Sequence, residues 1–116
     1  MKIILYVLFT CSVFFSFKSC HEKEKPMVIS PADKVTYERD IKPILAISCT
    51  PCHFAGGISP YKWESYDAVK YKISIIIDRV NKDPGTKNFM PRDGKKLSPE
   101  TIAILRKWVS DGTLER

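Results

Sequence analysis

Apolar residues form one unbroken run at the start of the chain, and from Tyr37 onward they recur at helical spacing. Ile3 to Phe17 is uncharged and almost wholly apolar; Lys18 closes it, and His21-Glu22-Lys23-Glu24-Lys25 turns the chain polar. Residues 21–35, with Pro26 and Pro31, carry no period and read as an irregular tether. Ile41, Ile44, Leu45 and Ser48 then share one helical stripe. Pro43 is acceptable only in a first turn, which makes Asp40 the preferred N-cap and Thr36 the other candidate. Ser65 to Tyr71 predicts a short helix capped by Ser65, with Tyr66 and Val69 inward. Ile73, Ile76, Ile77 and Val80 predict a second stripe, closed by Asn81-Lys82-Asp83-Pro84-Gly85. A buried strand over 73–77 is the rival reading, and length favours the helix. Ser98, Pro99 and Glu100 open the last helix, and Asp111-Gly112 stops it. Its inward stripe is expected to be Ile102, Leu105 and Val109, with Ile104 and Trp108 at the edge. Every element predicted after the tether is helical, so the expected class is all-α.

The opening run changes the picture of where the chain works. Its fifteen residues, Ile3 to Phe17, are short for a bilayer span but fit the apolar region of a secretory signal peptide. Ser19-Cys20 at its end resembles a bacterial lipoprotein cleavage site, which would make Cys20 the lipidated first residue of the mature protein. An uncleaved anchor and a plain signal peptide are the alternatives, and all three place residues 21 onward outside the cytoplasm. The expected organisation is a lipoprotein-type signal over 1–19, a lipidated cysteine and tether over 20–35, and one domain over 36–116. A membrane is then a partner through the lipid on Cys20.

Charge narrows the partners. The net charge of +6 falls to +4 when residues 1–19 leave with Lys2 and Lys18 and no acid. Basic and acidic residues alternate along the chain, and no nucleic-acid motif accompanies them, so no nucleic-acid partner is expected. There is no internal repeat or low-complexity tract.

Candidate chemistry centres on Cys49-Thr50-Pro51-Cys52-His53, a C-x-x-C-H pentapeptide that matches the attachment site of a c-type haem. Two thiols three positions apart can form thioethers with the two vinyl groups of one haem, and the adjacent imidazole can bind its iron. A structural zinc site usually needs four ligands, and the only other histidine is His21 in the tether. A thioredoxin-like pair expects a βαβ setting, which the helical pattern does not provide. A plain disulfide leaves His53 without a role.

The stretch Tyr37-Glu38-Arg39-Asp40-Ile41-Lys42-Pro43-Ile44-Leu45, the pentapeptide, Gly56-Gly57, Met90-Pro91, Leu97-Ser98-Pro99-Glu100 and Trp108 together resemble the small single-haem cytochrome c domains of bacterial exported proteins. The resemblance covers about residues 36–113. It implies a cytochrome c-like helical fold wrapped around one covalent haem c, with the last helix crossing the first near a structural Trp108. It also implies His/Met axial ligation. Met90 stands in the matching loop; Met1 leaves with the signal and Met27 lies in the tether. Tyr61, Trp63 and Phe89 are expected to line the haem pocket or the core. The implied function is electron transfer, not enzymatic turnover, between redox partner proteins at the periplasm or cell surface. Lys87, Arg92, Lys95 and Lys96 flank Met90 and would steer partners with acidic docking faces. A haem-based sensor with a labile sixth ligand is the main alternative, and a peroxidase the weaker one, for want of a distal acid–base residue.

Overall fold

The structure is a computed structural model describing residues 33–92 and 95–116. The export run, Cys11, Cys20, His21, Met27 and the tether to residue 32 lie outside the described residues. The domain is helical. A π-helical turn, Tyr37–Ile41, leads into α1, Lys42–Ser48, followed by α2, Tyr66–Asn81, and α3, Pro99–Ser110. Among the described residues the only β-type pairing is an isolated parallel bridge between Thr36 and Leu114.

Pro43 accounts for the π-helical turn. It has no amide hydrogen, and its ring crowds the carbonyl four residues back, that of Arg39. The chain widens just before it: the amides of Ile41 and Lys42 reach five residues back, to the carbonyls of Thr36 and Tyr37. Thr36, not Asp40, is the N-cap residue. Asp40 lies inside the turn, only 2% exposed, and its carboxylate reaches backward to accept the Thr36 amide at 2.7 Å. The Arg39 guanidinium donates to both carboxylate oxygens, at 2.9 and 3.0 Å, which supplies the countercharge that burial requires.

The two short elements expected over 65–80 are one continuous helix. No glycine or proline interrupts α2, so nothing stops the first stripe from running into the second. The Ser65 hydroxyl accepts the Ala68 amide at 3.3 Å, and Val69, Ile73, Ile76 and Val80 form a single buried stripe. The strand alternative over 73–77 is not realised.

Helix α3 starts as expected, with the Ser98 hydroxyl accepting the Thr101 amide at 3.2 Å. It ends at Asp111, before Gly112 at φ +95°. Its inward stripe is Ile102, Leu105 and Trp108, while Val109 is 42% exposed. Trp108 takes the inner position because its indole N–H donates to the Leu114 carbonyl at 2.8 Å. A tryptophan with its polar atom paired can bury completely. The rings of Tyr37 and Tyr66 lie 6.0 and 6.3 Å from it.

One core joins these elements, with Val35, Ile41, Leu45, Val69, Leu105 and Trp108 at its most buried points. The segment after α3 closes it. Tyr37 and Glu38 donate their amides to the carbonyls of Leu114 and Glu115, at 2.9 and 3.1 Å. These are first-turn donors that a helix leaves without intrahelical acceptors. The Val35 amide donates to Asp111 at 2.7 Å, and the Tyr66 hydroxyl to the Thr113 carbonyl at 2.8 Å.

Candidate functional site

Helix α1 delivers the pentapeptide. Cys49 is its C-cap, donating its amide to the Leu45 carbonyl at 2.8 Å. The Thr50 hydroxyl donates to the Ala46 carbonyl at 2.6 Å. Turns continue the coil, with the His53 amide on the Cys49 carbonyl at 3.0 Å. Cys49, Cys52 and His53 are all half-buried, and the two thiols are not joined. Burial pushes the Cys49 thiol up to about 11, so it keeps its proton at neutral pH.

The following loop folds back over this segment. The Gly57 amide donates to the Phe54 carbonyl at 2.9 Å, and the Ser59 amide to the Cys52 carbonyl at 3.0 Å. Gly57 is held so close that an added Cβ would overlap the Pro51 carbonyl oxygen and lie 2.5 Å from that of Cys52. Only glycine fits that approach.

Four consecutive residues then fasten the loop. The Tyr61 carbonyl lies 2.8 Å from Nδ1 of His53. Lys62 donates its ammonium to the carbonyls of Phe54 and Gly57, at 3.0 and 2.9 Å. Trp63 donates its amide to the His53 carbonyl at 2.8 Å, and its ring stacks on the imidazole with centroids 5.1 Å apart and planes 19° off parallel. Glu64 accepts the Ala55 amide at 2.9 Å. A carbonyl can only accept, so Nδ1 of His53 carries a proton, and in the neutral ring the lone pair is on Nε2. The arrangement can therefore present one imidazole nitrogen as a ligand, beside two thiols able to form thioethers.

Met90 lies elsewhere around the same core. It is half-buried, and its amide donates to the Arg79 carbonyl at the end of α2, at 3.2 Å. Met90 packs against the core cluster, as do Cys49, Phe54 and Trp63. Among the described residues no hydrogen bond joins it to the pentapeptide. A cavity of about 230 Å³ opens beside Met90, lined among others by Arg79, Thr86, Phe89 and Arg92. Of the aromatics expected in pocket or core, Phe89 is buried, Trp63 is half-buried and Tyr61 is 54% exposed. Of the four basic residues flanking Met90, Lys96 is ion-paired with Asp83 at 2.6 Å. Cys20, the expected lipid site, lies outside the described residues.

Among the described residues no three His, Cys, Asp or Glu side chains converge as a metal-binding group. The fastening by Lys62 and Glu64 was missed in the sequence. The alternation of aromatic Tyr61 and Trp63 with charged Lys62 and Glu64, directly after a Gly-rich loop, is the signal that could have found it. No family model, curated protein or solved structure matches this chain.

Proposed function

We propose that this domain is a one-electron carrier holding a single c-type haem. The observation that carries the reading is the state of His53. It follows a C-x-x-C pair directly, its Nδ1–H donates to the Tyr61 carbonyl at 2.8 Å, and Nε2 is the nitrogen that would bind the iron. The residues present fit the group. Cys49 and Cys52 are unjoined thiols that would hold it by thioethers, His53 would bind its iron, and Met90 would supply a second ligand. When bound, the haem supplies a metal centre that gains and loses one electron.

The protein's part is to hold both ligands through that change. The His53 backbone is tied on both sides, to Cys49 and to Trp63, and the Met90 backbone is tied to α2. A ligand set that does not exchange keeps the rearrangement on electron transfer small. The partners would be donor and acceptor proteins outside the cytoplasm, met by a domain tethered through a lipid on Cys20. Lys87, Arg92 and Lys95 would favour acidic docking faces.

The test is expression of the full chain with haem-maturation machinery, followed by mass and optical spectra. The expected product carries one covalent haem, is low-spin, and shows the ferric sulfur-to-iron charge-transfer band of methionine ligation. A mass without haem overturns the reading. A high-spin spectrum with ready carbon monoxide binding would instead favour the sensor.

A further inference from the structure

We infer that Trp63 is a positioning residue, whose indole sets the rotation of the His53 imidazole and hence the direction of Nε2. The inference rests on the haem reading and concerns how that site is tuned. The imidazole joins the backbone through Cγ and is held at Nδ1 by the Tyr61 carbonyl at 2.8 Å. The free rotation is the swing about the Cβ–Cγ bond, and one hydrogen bond on Nδ1 limits it only softly, since a modest turn merely lengthens or bends that bond. Such a swing carries Nε2 with it. A flat surface against the ring face stops the swing, and the indole supplies one at 5.1 Å and 19°.

The indole is itself well fixed. The Trp63 amide is bonded to the His53 carbonyl at 2.8 Å, so the two residues share a backbone bridge. Tyr61 also stacks on Trp63, with centroids 6.2 Å apart and planes 9° off parallel. On either side of Trp63 in sequence, Lys62 and Glu64 bind the 54–57 loop through side chains. Trp63 thus rests on a segment anchored at each of its four positions. Such support is what holds a ligand's orientation through a change of charge at the metal.

Ring orientation has a direct spectroscopic reading. In a ferric low-spin centre, the imidazole plane sets the in-plane asymmetry, seen in the spread of electron paramagnetic resonance g values and of haem-methyl proton shifts. The experiment uses the haem-loaded full chain. Reduced wild-type protein is expected to give nuclear Overhauser contacts between the Trp63 indole and His53 ring protons. Trp63→Leu is expected to change the g-value and methyl-shift spread and to move the midpoint potential, whereas Trp63→Phe, which keeps a ring there, retains the wild-type pattern. Wild-type protein with haem but without those contacts would overturn the inference alone. So would a Trp63→Leu spectrum identical to wild type, or a Trp63→Phe spectrum as displaced as that of Trp63→Leu. If Trp63→Leu does not fold, the wild-type contacts and Trp63→Phe decide. A wild-type mass without haem overturns the inference together with the reading beneath it.

Discussion

Trp108 and Tyr37 share a single acceptor. The Leu114 carbonyl receives the Trp108 indole N–H at 2.8 Å and the Tyr37 amide at 2.9 Å, so one oxygen ties α3 to the first helical turn. Trp108→Phe keeps an aromatic body and loses the indole donor. It is expected to cost about 1–2 kcal/mol, while Trp108→Ala should cost about 3–5 kcal/mol by opening the core. Urea unfolding followed by circular dichroism measures both, and a Trp108→Phe loss near zero would show that the shared oxygen contributes nothing separable.

Gly57→Ala tests the close approach of the loop to the pentapeptide. The new methyl group would overlap the Pro51 carbonyl oxygen and sit 2.5 Å from that of Cys52. The strain is expected to cost about 1–3 kcal/mol and to fall on the 49–59 segment, leaving helix content little changed. Covalent haem per mole of protein, read by mass, should drop sharply in this variant. An unchanged yield would show that the loop can retreat.

Met90→Ala separates the ligand role from packing. Met90 is half-buried, so truncation should cost no more than about 2 kcal/mol. The charge-transfer band should disappear, carbon monoxide should bind the reduced protein, and the midpoint potential should fall. Persistence of the band would remove Met90 from the iron.

Acid stability should depend on Asp111. The Lys107 ammonium, with help from the Val35 amide, holds its carboxyl below the ordinary value of 3.8. A carboxyl whose folded pKa lies below its unfolded one stabilises fully above the unfolded value, and that contribution is lost as pH falls through the folded value. Stability should therefore stay level in this respect above about pH 5 and decline below about pH 4. Asp111→Asn should flatten the decline without abolishing it, because Asp83 and Glu100 are lowered too. Urea midpoints between pH 2 and 7 give the comparison; a slope equal to wild type would exclude Asp111 as a contributor.

Replacing Lys87, Arg92, Lys95 and Lys96 with glutamine should slow oxidation by anionic ferricyanide severalfold at low ionic strength and leave a neutral oxidant unaffected. Most of the effect should come from Lys87, Arg92 and Lys95, since Lys96 is already paired with Asp83. Equal rates across the salt range would show that these charges do not steer.

Short-range chemistry was legible in the sequence, and long-range pairing was not. Ser65 and Ser98 cap their helices as read, because a cap is decided within three residues. Asp40 was misread as the N-cap because its carboxylate serves the helix start from inside a π-helical turn, and that turn is an effect of Pro43 on the backbone. Val109 lost the inner position to Trp108 because of an acceptor, Leu114, that lies beyond the helix. Cys49, Cys52, His53 and Met90, the proposed ligands within the domain, are named from pattern and resemblance alone. That Tyr61 would face Nδ1 could not be read from either, since a carbonyl carries no side-chain signature and its partner lies across a loop.

The pairing of Tyr37 and Glu38 with Leu114 and Glu115 also orders events in time. In an exported chain that crosses the membrane from its N-terminus, residues 49–53 would emerge before residues 114 and 115. Until those two carbonyls arrive, the first-turn amides and the Trp108 indole lack the acceptors that fasten the end of the chain to them. The pentapeptide is thus complete while the domain is still open, a window in which a large planar group could reach the thiols without forcing a finished fold apart.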